Sequence, residues 1–272
     1  MQELIDRALE EDLGSGDATS HAVVPPDATG RGLIEQKAEG VVAGLRVAEA
    51  VFRRVDPSVR WHPRVVEGEW RAGGLAAEVA GSARSILAGE RVALNFLGHF
   101  SGIATLTARF VAAVEGTGAL ILDTRKTTPG LRALEKQAVV AGGGENHRAG
   151  LFDAILVKEN HAAIAGGVGE AARAAMAGAS QGMPVEVECA TLEEVDAALD
   201  AGAASLLLDN MPPEELRQAV ERARGRATTE ASGGVSLENV RAIAETGVTF
   251  ISVGSLTHSA PALDLSLELQ PL

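Results

Sequence analysis

Residues 121–161 read ILDTRKTTPGLRALEKQAVVAGGGENHRAGLFDAILVKENH. An apolar run, Ala119-Leu120-Ile121-Leu122, stops at Asp123-Thr124-Arg125-Lys126. A second run, Ala154-Ile155-Leu156-Val157, stops at Lys158-Glu159-Asn160-His161. Between them lie a helix-like segment from Gly130 to Val140, a glycine run at Gly142-Gly143-Gly144, and Glu145-Asn146-His147-Arg148. Short apolar strands that each end in charge, with a helix between, mark a βαβ unit whose strand C-termini build a site. Such a unit brings Arg125, Lys126, His147, Arg148 and Lys158 together, and that many cations in one pocket call for a strongly anionic ligand.

Working outward toward the C-terminus, the rhythm stays regular. Apolar strands are expected near 119–123, 153–158, 184–188, 204–209, 227–231 and 249–253. Helices are expected over 130–141, 161–178, 191–201, 212–224 and 236–246. Thr191 and Ser236 resemble helix N-caps, Pro212-Pro213 suits a helix start, and Gly202, Gly225 and Gly247 suit the stops. Successive right-handed βα crossovers give an α/β barrel or a doubly wound sheet. Polar groups at every strand end favour the barrel, whose strand ends share one mouth.

Toward the N-terminus the pattern is different. Residues 4–13 place Leu4, Ile5, Ala8, Leu9 and Leu13 on one helical face, and Gly14–Thr19 turns the chain. Residues 30–44 read as extended and Arg46–Val55 as a helix. Strand-like pieces follow at Val59–Val66, Ala76–Val79 and Ser82–Leu87. Strands and helices mixed without βα repetition suggest an α+β layer of its own. A long helical region from Val92 to Val114, interrupted by Gly98 and Gly102, contains the boundary. The expected domains are 1–103 and 104–259, with the tail 260–272 returning to the first.

Composition narrows the function. The chain has 272 residues with 46% apolar and 22% charged, ordinary for a globular protein with a real core. Its formal net charge of −13 argues against non-specific nucleic-acid binding. The cationic stretch is therefore a local reversal, better matched to a small anion than to a polyanion. A single cysteine, Cys189, excludes an intrachain disulfide and makes a reducing cytoplasm the expected setting. The N-terminus is acidic, unlike a signal peptide, and no apolar run approaches the roughly 20 residues of a membrane span. Only four lysines occur, Lys37, Lys126, Lys136 and Lys158, and two of them end strands in the stretch quoted above.

The later strand ends carry different chemistry. Glu188 and Asp209 are either the holders of a hydrated Mg²⁺ on a phosphorylated ligand or plain capping and ion-pair residues. Ser232-Gly233-Gly234 and Gly254-Ser255 are either a phosphate site, where glycine lets backbone N–H groups approach and a following helix adds its dipole, or ordinary βα turns. Asp123 is a candidate partner for Lys126 or Arg148. His161 reads as a cap, Cys189 as inert core, and Arg91, by spacing alone, as a solvated helix residue.

Taken together, Asp123–Gly130 (DTRKTTPG), Glu145–Arg148 (ENHR), Lys158–His161 (KENH), Glu186–Glu188 (EVE), Leu208–Asn210 (LDN) and Ser232–Gly234 (SGG) resemble the quinolinate phosphoribosyltransferase family. So do Glu11–Thr19 and Gly98–Thr105, so the likeness spans the chain. The resemblance implies an N-terminal α/β sandwich followed by an incomplete α/β barrel of the type II phosphoribosyltransferase kind. It implies a homodimer, or a hexamer of dimers, in which the N-terminal domain of one chain covers the barrel mouth of the other. It implies the conversion of quinolinate and phosphoribosyl pyrophosphate, with Mg²⁺, to nicotinate mononucleotide, pyrophosphate and CO₂ in NAD biosynthesis.

By motif match, Arg125, Lys126, His147, Arg148 and Lys158 surround quinolinate, and Arg91 reaches in from the neighbouring subunit. Lys126 and Lys158 also meet the pyrophosphate of the donor. Glu188 and Asp209 serve its ribose and magnesium, and Ser232, Gly233, Gly234, Gly254 and Ser255 bind its 5′-phosphate. Lys126, Glu188 and Asp209 are the catalytic candidates. The residues agree with this chemistry, since planar arginines suit a dicarboxylate and a carboxylate can offset charge developing on the ribose C1. No general base is required. Ala231 stands where a polar residue would be expected before Ser232-Gly233-Gly234, away from the presumed ligands. Rival readings are a nicotinate phosphoribosyltransferase, which needs to hold only one carboxylate, a paralogous family found with molybdate transport, and a non-catalytic sensor of a phosphorylated metabolite.

Overall fold

The computed structural model describes residues 1–272. The first part of the chain forms α1 (Gln2–Leu13), α2 (Ala18–Val23), β1 (Thr29–Gln36), β2 (Gly40–Val41), α3 (Leu45–Val55), β3 (Arg60–Pro63), β4 (Trp70–Arg71), β5 (Gly74–Ser82) and α4 (Ala83–Ala113). The second part forms β6 (Leu120–Leu122), α5 (Arg132–Ala141), β7 (Ile155–Val157), α6 (Glu159–Ala165), α7 (Val168–Gly178), β8 (Val185–Cys189), α8 (Leu192–Asp200) and β9 (Ser205–Asp209). It continues with α9 (Pro213–Ala223), β10 (Thr228–Ser232), α10 (Val240–Ala244), β11 (Phe250–Ser252), α11 (Ser255–His258) and β12 (Leu265–Pro271). Two compact units result. One comprises Met1–Ala108, Pro129–Gly143 and Ser259–Leu272, the other Arg109–Thr128 and Gly144–His258.

In the first unit four strands pair antiparallel in the order β12-β1-β5-β3. The tail strand β12 lies along β1 from Gly30↔Pro271 to Gln36↔Leu265. The helix α1 buries Ile5 and Leu9, and α3 buries Val47, Val51 and Phe52. The Phe52 and Trp61 rings meet at 5.8 Å between centroids. Each fully buried side chain of this size contributes roughly 1.5–3 kcal/mol.

Two expectations for this unit are corrected. The strand expected over Ser82–Leu87 is helical from Ala83, because β5 ends its pairing with β1 at Ser82↔Thr29. The interruptions expected at Gly98 and Gly102 do not occur; α4 runs through both. Those glycines are contact notches. A Cβ on Gly102 would lie 2.1 Å from the Pro261 carbonyl oxygen, and Gly98 accepts the Leu263 amide at 2.9 Å. The close approach of the tail outweighs the helix propensity lost, about 1 kcal/mol per glycine.

The second unit is a parallel sheet in the order β6-β11-β10-β9-β8-β7. From β7 to β11 sequential strands are neighbours, and the last pairs with β6, so there is no switch point and the doubly wound alternative falls. β6 and β7 do not pair with each other, which makes the barrel incomplete at that seam. Beside β6 the backbone of Glu145 takes a strand-like place, its amide donating to Ile121 at 2.8 Å and its carbonyl accepting from Asp123 at 3.1 Å.

Strand alternation sorts the side chains of this sheet. Val187, Cys189, Leu206, Leu208 and Ala231 are buried. Their alternates Glu188, Leu207, Asp209, Glu230 and Ser232 line a cavity. Gly166 and Gly167 (φ +93 and +130) split the helix expected over 161–178 into α6 and α7. The helix expected over 236–246 is only α10, whose first residue is Val240, so Ser236 is not its N-cap. No helix is long and apolar enough to cross a membrane.

Candidate active site

The cavity, about 340 Å³, lies in the second unit at the strand C-termini. Its wall includes the basic side chains of Arg125, Lys126, His147, Arg148 and Lys158 and the carboxylates of Glu188, Asp209 and Glu230. The basic groups come from the segment after β6, from the loop between α5 and β7, and from Lys158 just past β7, the carboxylates from β8, β9 and β10. Lys126 is anchored through its backbone, its carbonyl accepting from Thr257 Oγ1 at 2.8 Å. Its side chain passes over Gly254, where a Cβ would meet Lys126 Cδ at 3.1 Å. Arg148 donates from Nη1 to the Ala154 carbonyl at 3.0 Å. Burial, reinforced by the neighbouring Arg125 charge, holds the Arg148 pKa below its ordinary range.

His147 is held from several directions. Its amide donates to the buried Asp123 Oδ1 at 2.9 Å, so Asp123 positions this backbone. Its Nδ1 accepts the Arg148 amide at 2.7 Å. That contact assigns the ring proton to Nε2, which lies 3.0 Å from Glu186 Oε2 and 3.5 Å from Glu230 Oε2. The hydrogen bond to Glu186 pulls the imidazole pKa up while burial opposes it. The net direction of the His147 pKa is upward, but a second ring proton would have to displace the Arg148 amide, and that geometry favours the neutral ring. His147, Glu186 and Glu230 bring three possible ligand atoms within 4.8 Å of one another. With the Nε2 lone pair carrying the proton, this is a proton-sharing cluster and not a metal site.

Glu230 is 2% exposed, and its Oε1 has no hydrogen-bond partner. Burial, then the Glu186 charge, pushes its pKa up to about 7, against the opposing pull of His147 and Ser252.

Glu188 receives Lys158 Nζ on Oε2 at 2.7 Å and the Glu159 amide on Oε1 at 3.4 Å. Asp209 Oδ2 accepts Asn210 Nδ2 at 2.8 Å. Two carboxylates on adjacent strands, facing one cavity and offering only oxygen, fit a hydrated Mg²⁺, which keeps several waters beside one or two carboxylates. Beyond Ser232 the backbone turns sharply. Gly233 (φ +94) has no room for a side chain, since a Cβ would fall 2.2 Å from Asn210 Oδ1, while Gly234 (φ +60) opens onto empty space. Asn210 itself has φ 56 and donates its amide to the Ser232 carbonyl at 2.8 Å.

The remaining candidates lie elsewhere. Gly233, Gly234, Gly254 and Ser255 continue from the strand ends without lining the cavity. Arg91 is on α4 in the first unit, with its side chain 63% exposed and Glu90 3.9 Å away. His161 caps α6, its Nδ1 accepting the Lys158 amide at 2.9 Å. Glu186, Glu230 and Ser252 were missed as site residues. Strand parity was the available signal, because Glu186 and Glu230 each stand two residues before a residue already singled out, Glu188 and Ser232.

A single open barrel with cations facing carboxylates across its mouth, preceded in the chain by an antiparallel α+β unit, defines the type II phosphoribosyltransferase class. Comparison with known proteins narrows it. Residues 17–101 match the family described as quinolinate phosphoribosyl transferase, N-terminal domain, and residues 103–268 match its C-terminal domain. The chain belongs to the quinolinate phosphoribosyltransferase family. It is 44% identical to a chloroplastic nicotinate-nucleotide pyrophosphorylase (carboxylating) of Arabidopsis thaliana, over 99% of this chain and 82% of that one. It is 40% identical to a probable enzyme of the same name from Bacillus subtilis, over 99% and 93%. The crystal structure of NadC from Streptococcus pyogenes superposes with a TM-score of 0.95 at 40% identity, covering 100% of this chain and 96% of that one.

Proposed function

We propose that this chain transfers the phosphoribosyl group of phosphoribosyl pyrophosphate to the ring nitrogen of quinolinate with loss of CO₂, giving nicotinate mononucleotide and pyrophosphate in NAD biosynthesis. The observation that carries the reading is the meeting of Arg125, Lys126, Arg148 and Lys158 with Glu188 and Asp209 in one cavity. Quinolinate is a dicarboxylate. Two guanidiniums in one cavity, with the Arg125 charge adding to burial in lowering the proton affinity of Arg148, gain most from such a ligand. His147, with both ring nitrogens engaged, contributes by presenting its ring to the cavity and by fixing Arg148.

The pyrophosphate of the donor draws Lys126 and Lys158. When Lys158 turns to phosphate, Glu188 loses that ion pair and its charge is available to the ribose C1 as the leaving group departs. Glu188 and Asp209 would hold Mg²⁺, which would supply positive charge to offset that of the donor. Ser232, Gly233, Gly234, Gly254 and Ser255 receive the 5′-phosphate through backbone N–H groups and hydroxyls. The quinolinate nitrogen attacks C1. The quaternised ring then accepts the electron pair of the C2–carboxylate bond, and CO₂ leaves. Arg91 serves the site of a neighbouring subunit in a homodimer or a larger assembly of dimers, in the cytoplasm.

The test is a product assay with phosphoribosyl pyrophosphate, Mg²⁺ and either quinolinate or nicotinate. Nicotinate mononucleotide with CO₂ from quinolinate is the expected result. Product from nicotinate alone would move the chain to the rival that binds a single carboxylate.

A further inference from the structure

The reaction proposed above has a proton to find. When the C2–carboxylate bond breaks, its electron pair stays on C2 beside the quaternised nitrogen. CO₂ departs, and C2 must take a proton before nicotinate mononucleotide is complete. We infer that Glu230 is the acid that delivers this proton to C2; the inference rests on the quinolinate reading of the same cavity.

The argument begins with proton counting. Glu186 and Glu230 both face His147 Nε2, which has one proton to offer, and Glu186 is nearer, at 3.0 Å against 3.5 Å. Two ionised carboxylates around one N–H would leave Glu230 buried, charged and poorly partnered. A further proton is favoured in the cluster, and the imidazole cannot take it without losing the Arg148 amide from Nδ1. It belongs on Glu230, whose Oε1 has no partner while the residue lines the cavity. The charges around Glu230 support this. Glu186 on β8 and Asp123 after β6 disfavour its ionisation, while His147 and Ser252 on β11 oppose them. Its burial and a pKa of about 7 describe an acid about half protonated at neutrality and able to give the proton up.

The position also suits the role. Glu230 is one inward-facing residue deeper than Ser232, so a donor phosphate held at the Ser232 turn leaves Glu230 beneath it, on the cavity wall shared with Arg125 and Arg148. In the balanced step the C2–carboxylate bond breaks as the Glu230 O–H bond breaks and the C2–H bond forms, so that without the acid CO₂ recombines with the C2 carbanion; the carboxylate left behind is reprotonated from solvent after product leaves. The group neither forms nor breaks the bond to ribose.

The experiment is single-turnover kinetics on the wild type and Glu230→Gln, following pyrophosphate and CO₂ separately. The expected result is pyrophosphate formation at the wild-type rate, with CO₂ and nicotinate mononucleotide slowed by about 10²–10⁴-fold. Wild-type decarboxylation should fall as pH rises, because the protonated acid is required, and the variant should lose that dependence. Equal slowing of both products, or no slowing, would overturn the assignment. A wild type that makes no product from quinolinate would instead defeat the reaction reading. If Glu230→Gln does not fold, the wild-type profile decides alone: a decarboxylation rate independent of pH between about 6 and 9 sinks the idea.

Discussion

At the scale of single residues, Glu230 ties chemistry to stability. Its pKa rises from 4.5 to about 7 on folding, mainly through burial. Between those values the unfolded chain is ionised while the folded one still holds the proton, so stability falls as pH rises, by about 3 kcal/mol across the interval. Below 4.5 the contribution is fully present; above 7 the loss is complete and the curve flattens. Glu230→Gln should therefore melt above the wild type at pH about 8 and converge with it near pH about 4, as read by denaturant titration. A wild type whose stability does not decline through this window would refute the burial argument. The residues at strand ends were legible because an apolar run that stops at a charge is visible in one dimension, which is how Arg125, Lys158, Glu188 and Asp209 were found. The proton-sharing cluster was not legible. It depends on Nδ1 of His147 meeting its own neighbour's amide and on three segments converging at Nε2, and neither can be read from spacing.

At the scale of elements, glycine was the residue most often misjudged. Gly98 and Gly102 read as interruptions of α4, yet they admit the segment at Pro261–Leu263 that leads into β12. The obstacle to a side chain at Gly102 is a backbone carbonyl, which cannot swing away as a side chain would. Gly102→Ala should therefore destabilise the first unit by about 1–3 kcal/mol. Faster hydrogen exchange at the β12 amides should accompany the loss. Unchanged exchange there would mean the tail tolerates displacement. The opposite error occurred at Gly166-Gly167, where a pair at positive φ ends α6 and was passed over inside a long apolar helix. Parallel strands were placed to within a few residues, since buried runs of Val, Leu and Ile bounded by turns are the strongest pattern in the chain. The α10 region was the weakest, because the helix is a single turn and its approach is held by Asn239, whose Oδ1 accepts the Ser236 amide at 2.8 Å.

At the scale of the whole molecule, Arg91 carries the proposal of a shared site. If it serves a neighbouring subunit, Arg91→Ala and Lys158→Ala should each be inactive alone. Mixed after subunit exchange, they should recover about a quarter of wild-type activity, because half the dimers are hybrid and one of the two sites in each is intact. No recovery, with exchange verified by mass, would count against a site shared between subunits. The open seam of the barrel has a consequence for how the protein is made. The strand β6 has its hydrogen-bonded strand neighbour in β11, and β1 has one of its two neighbours in β12. Apart from the bridge at Glu145, β6 leaves the ribosome with its pairing partner still unmade, and Arg125 and Lys126 wait with it for Phe250–Ser252 to be translated. The other strands can assemble in the order they are synthesised, each on its predecessor. Arg125 and Lys126 are thus the last cations of the pocket to be fixed in place, after Lys158 has been set beside Glu188 by the pairing of β7 with β8.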